Sequence, residues 1–290
     1  MASLKEIRAR ITSVASTEKI TNAMKMVSAA KLKKSEGMTL NFLPYRNKLS
    51  EALANYLGSL EGEITIPLAE HREVKRIALI AFTSSSGLCG VYNSSVIKLF
   101  RKTYDDYANR LGTDAIDVYL FGKKINEFAS KNRIRATATY PSLSDEMSFE
   151  TATKLSDLLT ERFLNRDIDR VVMVYNHFKN AGVQVAQCET MIPLATDTLP
   201  KGNSYDYIVE PSKEAFINAL VPKVIRTKFY SVMLDTLTAE HGARMTAMHI
   251  ASDNANELLQ DLRREYNRAR QDVITTELID IVGGAEALNH

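Results

Sequence analysis

Apolar residues at helical spacing run along both ends of the chain. Near the N-terminus, one seam with steps of three and four positions comprises Leu4, Ile7, Ile11 and Val14. The seam then shifts by one position and continues with Ile20, Met24 and Val27. Such spacing places apolar side chains on one face of a helix, and the abundance of Ala, Met, Lys, Leu and Glu favours the same conformation. The N-terminal part is therefore predicted to form one very long helix.

Short signals indicate the limits of this helix. Ser3 precedes Glu6 by three positions, which is the spacing of a capping box at a helix N-terminus. Pro44 is expected to kink the helix or to end it early, because proline lacks the backbone N–H that a helix interior needs. Gly58 and Gly62 are predicted to stop it.

A second helical pattern runs from Ser212 to about Val282, where Gly283 and Gly284 are predicted to end it. Pro222, near the start, is expected to mark a bend. The apolar seam of this helix comprises Leu234, Leu237, His241, Met248, Ala251, Ala255, Leu258 and Leu262. Alanine also recurs at every fourth position, as Ala239, Ala243, Ala247, Ala251 and Ala255. Such a ridge of small residues lets another helix approach closely.

The two terminal helices are expected to pack against each other. Helices of this length are not stable alone, because most helical stability comes from burying an apolar face. Their net charges have opposite signs: residues 1–57 carry ten Lys and Arg against four Asp and Glu, and residues 212–288 carry nine against eleven. We therefore predict that residues 1–58 and residues 211–290 form a long antiparallel coiled coil.

The middle of the chain, residues 75–210, alternates strand and helix signals. Buried strands are predicted for the apolar runs Arg76–Phe82, Ile116–Phe121, Val171–Tyr175 and Val183–Gln187. Helical segments are expected at about 93–111, 123–132 and 148–165. This alternation is typical of a mostly parallel sheet covered by helices. The predicted fold class is thus a Rossmann-like α/β domain inserted between the two helices of a coiled-coil shaft.

The loop from Thr83 to Gly90 follows the first predicted strand, a position at which α/β folds often bind ligands. It has neither the Gly-Lys-Ser/Thr end of a P-loop nor the GxGxxG spacing of a dinucleotide site. Cys89 in this loop has no basic neighbour in sequence and no histidine placed to activate it as a nucleophile. A tight structural turn is therefore favoured over a nucleotide site.

The other residues with reactive side chains are dispersed. The five histidines have no HxxxH or HExxH spacing, so a metal site is not expected. His241 lies on the C-terminal seam and is predicted to be packed. Cys89 and Cys188 are the only cysteines and are predicted to be buried, reduced thiols. We predict no catalytic residue, no cofactor and no bound metal.

Composition and charge exclude some classes of protein. The chain has 290 residues, of which 45% are hydrophobic and 25% charged, and its formal net charge is +2. No general attraction to nucleic acid or to a membrane follows from such a charge. No apolar stretch approaches the roughly 20 residues that span a bilayer, and signal or transit features are absent from the N-terminus. A cytosolic protein, or one peripheral on a cytosolic membrane face, is expected.

Three regions resemble the gamma subunits of F-type ATP synthases. The N-terminal region contains Ile7-Arg8, Ile11, Ser13-Val14 and Thr17–Val27. The C-terminal helix contains Glu240–Met248, Asp253–Ala255, Tyr266–Gln271, Ile274-Thr275, Glu277–Ile281 and Gly284-Ala285. Between them, Gly87–Gly90 together with Asn93 is similar to the loop that follows the family's first strand. The chain departs from the family at Ser84–Ser86, where an acidic and a basic residue are more common, and at Gly242, where alanine is.

The resemblance implies a rotor subunit without catalytic chemistry of its own. Its shaft would stand inside a ring of three alpha and three beta subunits, and its α/β domain would form a foot on the membrane c-ring with the epsilon subunit. The delta subunit would be a further partner in the complex. Ion flow would turn ring and shaft together, and the asymmetric shaft would drive each beta subunit through its nucleotide states. Membrane association would be indirect, on the cytoplasmic face of a bacterial inner membrane, because no plant regulatory insertion is present.

The resemblance also implies particular contact residues. Met24 and Lys25 would face an acidic lever loop of the beta subunit, although the seam position of Met24 is also compatible with core packing. Arg244 and Gln271 are similar to positions that bond to the surrounding subunits, and the upper shaft near Gln271 also contains Arg270 and Thr275. The tip Ile279–Leu288 would turn in an apolar sleeve of the ring.

Two other functions remain open from the residues alone. One is a nucleotide-binding enzyme centred on the α/β domain, which nucleotide affinity of residues 70–210 would support. The other is a coiled-coil adaptor that binds nucleic acid through the basic cluster Lys31, Lys33 and Lys34, for which salt-dependent DNA binding would be the sign. A solvated helix face, or complementarity to an acidic partner, is the plainer interpretation of that cluster. Neither alternative accounts for the blocks at both ends.

Overall fold

The structure is a computed structural model, and it describes residues 3–58, 66–142, 148–195, 210 and 212–288. The helices are α1 (Leu4–Gly58), α2 (Tyr92–Leu111), α3 (Lys123–Lys131), α4 (Phe149–Leu164) and α5 (Lys213–Leu288). The strands are β1 (Ile77–Phe82), β2 (Ile116–Phe121), β3 (Ala138–Tyr140), β4 (Arg170–Asn180) and β5 (Val183–Ile192). Short 3-10 turns lie at Pro67–Ala69 and Thr113–Ala115.

The strands form one sheet in the order β3-β2-β1-β4-β5. Strands β1 to β4 are mutually parallel, and β5 is antiparallel to β4. The predicted, mostly parallel sheet is therefore confirmed. Strands β4 and β5 are longer than predicted because they continue beyond the apolar runs as a hairpin, and β3 was missed because its three residues are only partly buried.

The sheet is covered on both faces, as the continuous burial of β1 and β2 requires. One face packs against α2 and α3, with a core that includes Val96, Phe100, Ile125 and Ala129. The other face packs against α4 and against parts of α1 and α5, with a core that includes Leu53, Leu159, Phe163, Ile225 and Phe229. The middle of the chain is thus an α/β sandwich to which both terminal helices contribute.

The first helix ends at Gly58, as predicted, and both terminal helices continue through their internal prolines. The capping box at the start of α1 is confirmed: the Ser3 N–H donates to Glu6 Oε2 at 2.9 Å, and the Glu6 N–H donates to Ser3 Oγ at 3.3 Å. Pro44 lies inside α1 and does not end it. The prediction that Gly283 and Gly284 end the second helix was wrong, because α5 extends to Leu288. Glycine lowers helix propensity by about 1 kcal/mol per residue but does not forbid the conformation.

The described chain divides into two compact units. One consists of Met1–Val27 and Met245–His290, and the other of Ser28–Arg244. Within the second unit α1 and α5 are antiparallel: the ring centroids of Phe42 and Tyr230 lie 4.9 Å apart, and those of Tyr56 and Phe216 lie 4.7 Å apart. Residue numbers rise along α1 while they fall along the facing part of α5, so the two helices run in opposite directions here.

In the first unit the predicted seams are only partly buried. Ile7 on α1 is buried, as are Ala255 and Leu262 on α5. The continuation of the N-terminal seam was wrong, because Ile20 is 60% exposed and Val27 is 56% exposed. A single helix face cannot be inferred reliably where the apolar spacing shifts phase, since each step of one residue turns the side chain by roughly 100°.

Candidate partner interface

The loop between β1 and α2 is closed by hydrogen bonds within the second unit. The side chain of Asn93 accepts from the Ser84 N–H at 3.0 Å and donates to Ser84 Oγ at 2.8 Å. It also donates to the sulfur of Cys89 at 3.1 Å. Tyr92, which is buried, donates its hydroxyl to the carbonyl of Thr236 on α5 at 3.0 Å. These contacts support the interpretation of the loop as a structural turn and join it to α5.

Two glycines in this region lie close to other segments of the chain. Gly122 has φ +95°, and a Cβ there would lie 2.1 Å from the carbonyl oxygen of Thr83. On α5, a Cβ at Gly242 would lie 2.9 Å from Cε2 of Phe178 and 3.3 Å from Cα of Ala181. The departure from alanine at position 242 therefore lets the β4–β5 hairpin pack directly on the helix.

Arg244 is enclosed by its own chain, although it is predicted to contact other subunits. Its residue exposure is 9%. Nη1 forms an ion pair with Glu240 Oε1 at 2.9 Å, and Nη2 donates to Ser86 Oγ at 2.9 Å and to the Ser86 carbonyl at 3.3 Å. In the free chain Arg244 thus ties the β1–α2 loop to α5, and its contact with other subunits stays a prediction.

Burial shapes the electrostatics of α5 next to Arg244. Desolvation raises the pKa of the Glu240 carboxyl, although the positive charges of Arg244 and Lys31 oppose the change. Desolvation, together with those two charges, lowers the pKa of His241 to about 4. His241 is therefore neutral near pH 7, and it is buried, which confirms the predicted packing. Among the described atoms, Glu240 Oε2 and His241 Nδ1 are buried without a hydrogen-bond partner.

The remaining predicted contact residues belong to the first unit. Met24 and Lys25 are half-buried on α1. Arg270, Gln271 and Thr275 are exposed on α5. Within the described chain Lys25 and Arg270 make no ion pair. The structure thus places Arg270, Gln271 and Thr275 on one helix within two turns, while Arg244 lies in the other unit.

Exposed apolar side chains surround these residues, and only those in the tip that begins at Ile279 were expected from the resemblance to meet the ring. On the last turns of α5 they are Val273, Ile274, Leu278, Ile279, Ile281 and Val282. On α1 they are Ile20, Met26 and Val27. A soluble monomer rarely exposes contiguous apolar patches of this kind, and such patches mark interaction surfaces. These apolar residues are visible in the sequence, but their helical spacing equally predicts a seam that is buried within the chain.

The cysteines differ in accessibility. Cys89 is buried in the β1–α2 loop, and burial raises the pKa of its thiol. Cys188 is exposed, so the prediction of two buried thiols was wrong. The reason is its position on β5, an edge strand of the described sheet in which most side chains are exposed or only partly buried.

A groove of about 880 Å³ lies between α1, the β4–β5 hairpin and α5 in the second unit. Two polar side-chain pairs lie in its wall: Lys228 forms an ion pair with Glu189 at 2.8 Å, and His177 Nδ1 lies 2.6 Å from Asp235 Oδ2. The described residues that line it include none from the loop Thr83–Gly90. The groove therefore gives no support to a nucleotide site at that loop. None of the described helices combines the length and the hydropathy needed to cross a bilayer.

Comparisons with known proteins agree with the described fold. The family model of ATP synthase matches residues 3–288. The ATP synthase gamma chain of Flavobacterium johnsoniae is 47% identical over 290 residues, which is 100% of each chain. That of Bacteroides fragilis is 46% identical over 292 residues, covering 99% of this chain and 100% of the relative.

Solved structures show the same relationship. The chain is similar to one in the central stalk and c-ring of the Tetrahymena thermophila mitochondrial ATP synthase, with 26% identity and a TM-score of 0.57, covering 80% of this chain and 99% of that one. A chain of the Euglena gracilis mitochondrial ATP synthase, with 18% identity and a TM-score of 0.64, shares the fold over 98% and 94% of the two chains. On these grounds the chain belongs to the ATP synthase gamma chain family.

Proposed function

We propose that the chain is the central-stalk rotor of an F-type ATP synthase and performs no catalytic chemistry itself. The observation that carries the proposal is the last part of α5, where every residue from Arg270 to Ala285 is exposed and six of them are large and apolar. A helix that exposes apolar residues on all sides gains stability only when another protein surrounds it. A ring of subunits provides such an environment.

The proposed mechanism is mechanical. Each catalytic subunit of the ring meets a different face of the asymmetric helix, so the contact free energy differs from one subunit conformation to another. A ligand shifts a conformational equilibrium only through such differential contact energy. Turning the helix then changes which subunit is stabilised in which nucleotide state, and the chemistry takes place on the other chains.

The proposed assembly follows the family. Residues 1–58 and 211–290 act as the shaft within three alpha and three beta subunits, and residues 75–210 act as the foot on the c-ring with the epsilon subunit. The delta subunit is a further partner in the complex. The complex lies on the cytoplasmic face of a bacterial inner membrane, to which this chain is bound indirectly. Support for the c-ring comes from the similarity to the stalk of Tetrahymena thermophila.

The proposed contacts with the alpha and beta ring fall into two groups. Met24 and Lys25 on α1 are half-buried, so part of each side chain is available to a partner. Arg270, Gln271 and Thr275 are exposed, and they alternate with the apolar residues of the same helix. Polar groups next to an apolar surface give an interface its register, while the apolar groups supply most of its free energy.

Reconstitution tests the proposal. Purified alpha and beta subunits from the same organism are mixed with and without this chain, and the mixtures are analysed for a stable complex and for ATP hydrolysis. We expect the chain to co-purify as one copy per three alpha and three beta subunits and to raise the hydrolysis rate. Equal hydrolysis without the chain, or no co-purification, would contradict the rotor function.

A further inference from the structure

The groove between α1, the β4–β5 hairpin and α5 contains an arginine with neutral partners only. Arg46, on α1, is half-buried and lies in the groove wall. Its Nη1 donates to Ser231 Oγ on α5 at 3.0 Å, and its Nη2 donates to Asn47 Oδ1 at 3.3 Å. Arg46 forms no ion pair with any residue that the structure describes. Its positive charge is therefore not compensated inside the chain.

Other half-buried arginines of the same unit show what Arg46 lacks. Three of them form ion pairs at 2.6–2.7 Å: Arg72 with Asp169, Arg162 with Asp117, and Arg226 with Asp157. A guanidinium has five N–H donors in a planar fork, and the two hydrogen bonds of Arg46 occupy two of them. The remaining donors can bind a carboxylate through two parallel hydrogen bonds.

Apolar side chains line the groove next to Arg46. Leu49, on the following turn of α1, packs against the core cluster that contains Val224 on α5 and Leu194 after β5, and all three line the groove. Burial raises the pKa of the Tyr175 hydroxyl in the same wall, and the positive charge of Arg46 opposes this change. The charge of Arg46 therefore acts within the groove, at the edge of an apolar surface.

Acidic side chains in the wall limit the charge that a ligand can carry. Glu189 is paired with Lys228, and Asp235 lies against His177. Glu36 also lines the groove, and it has no ion-pair partner among the described residues. Like charges at short range repel one another. A ligand with a single negative charge is therefore favoured over a phosphate with two.

We propose that the groove binds a small amphiphilic monocarboxylate, with its carboxylate on Arg46 and its apolar chain against Leu49, Val224 and Leu194. The groove volume of about 880 Å³ suits such a molecule, because small-molecule pockets usually enclose about 300–1,000 Å³. Removal of the apolar chain from water favours binding, and the guanidinium selects the carboxylate. The site goes beyond the rotor function and does not depend on it, because all these residues belong to the second unit.

Octanoate and octanol are the probes, and their affinities for the full chain are measured by isothermal titration calorimetry. We expect octanoate to bind about tenfold more tightly than octanol, which has the same apolar chain without the charge. Arg46→Gln is expected to raise the dissociation constant of octanoate about tenfold and to leave that of octanol unchanged. Lys48→Gln removes an exposed positive charge on the same helix, outside the groove, and is the matched control that changes neither affinity.

Absence of octanoate binding, or equal affinities for octanoate and octanol, would overturn the proposal. This comparison uses the unmodified chain, so it decides the question even if Arg46→Gln fails to fold. An octanoate affinity that Arg46→Gln leaves unchanged, or an equal loss for both probes, would also overturn it. Excess inorganic phosphate is expected to leave octanoate binding unchanged, because of the acidic side chains in the wall. Displacement of octanoate by phosphate would show a general anion site and contradict the proposed class of ligand.

Discussion

At the scale of single residues, α5 carries side chains whose surroundings determine their chemistry more than their sequence does. Gly242 is a poor helix former, but the hairpin occupies the space that an alanine methyl group needs. His241, one position earlier, is kept neutral by burial and by two neighbouring cations. Each of these environments has a measurable effect on the stability of the free chain.

Gly242→Ala is expected to destabilise the chain by about 1 kcal/mol. Alanine improves helix propensity by up to about 1 kcal/mol, but the new methyl group would overlap Phe178 and press on the backbone of Ala181. Overpacking of this kind costs about 1–3 kcal/mol, so it outweighs the gain. Chemical denaturation measures the change.

Gly37→Ala is the matched control for this substitution. Gly37 also lies inside a long helix, and a Cβ there has no neighbour within 4 Å in the described structure. The propensity gain is then unopposed, and this variant is expected to be more stable than the unmodified chain. Stabilisation by both substitutions would show that the hairpin moves aside without cost.

The lowered pKa of His241 predicts a pH dependence of stability. The unfolded chain protonates this histidine near pH 6.5, whereas the folded chain does so only near pH 4. Between these values the unfolded state binds more protons, so stability falls as the pH falls, by roughly 3 kcal/mol over the whole window. Glu240, with its raised pKa, changes in the opposite direction in the acid part of the window.

His241→Gln isolates the histidine contribution from that of Glu240. Denaturation midpoints of the two proteins are compared at pH 7.5 and pH 5. We expect the loss of stability on acidification to be smaller in the variant, because glutamine does not titrate. A parallel decline in both proteins would mean that His241 is not protected from protonation by the fold.

At the scale of elements, strands that are defined by their own apolar residues can be predicted from the sequence. Strands and contacts that are defined by a neighbouring segment cannot. β1 and β2 were predicted nearly to the residue, because continuous apolar runs have few alternatives to a buried strand. β3 has no such run, and its position comes from pairing with β2. The hydrogen bond from Arg244 to Ser86 could not be predicted from the sequence either, since the two residues meet only after the loop has packed on α5.

The end of α5 provides a prediction at this scale. Ile279 and Ile281 are 65% and 67% exposed, so replacing both by Ser should leave the thermal unfolding of the free chain nearly unchanged. Binding to the alpha–beta ring should weaken at least tenfold, because burying one isoleucine contributes about 1.5–3 kcal/mol. Affinity and unfolding are measured on the same preparations.

Ile7→Ser is the contrasting variant. Ile7 is buried within the first unit, so its replacement should lower the unfolding temperature of the free chain. If the double substitution at Ile279 and Ile281 leaves the affinity for the ring unchanged, the end of α5 is not part of the interface.

At the scale of the whole molecule, the two compact units divide the chain differently from the three segments expected from the sequence. The unit boundaries, after Val27 and after Arg244, fall inside α1 and α5 and not between elements. Each terminal helix is therefore shared by both units. A covalently continuous helix is a suitable element for carrying torque from a foot domain to a ring, since its hydrogen bonds run along the whole length.

Direct observation of rotation tests the central claim. Cys188 is exposed on β5 while Cys89 is buried, so a gold particle can be attached at position 188 of the natural chain. The alpha–beta ring with this chain bound is fixed to a surface, and ATP is added. The rotor function predicts one-directional turning of the particle in thirds of a revolution that stops when ATP is removed. A particle that stays fixed, or fluctuates without direction, while ATP is hydrolysed would contradict it.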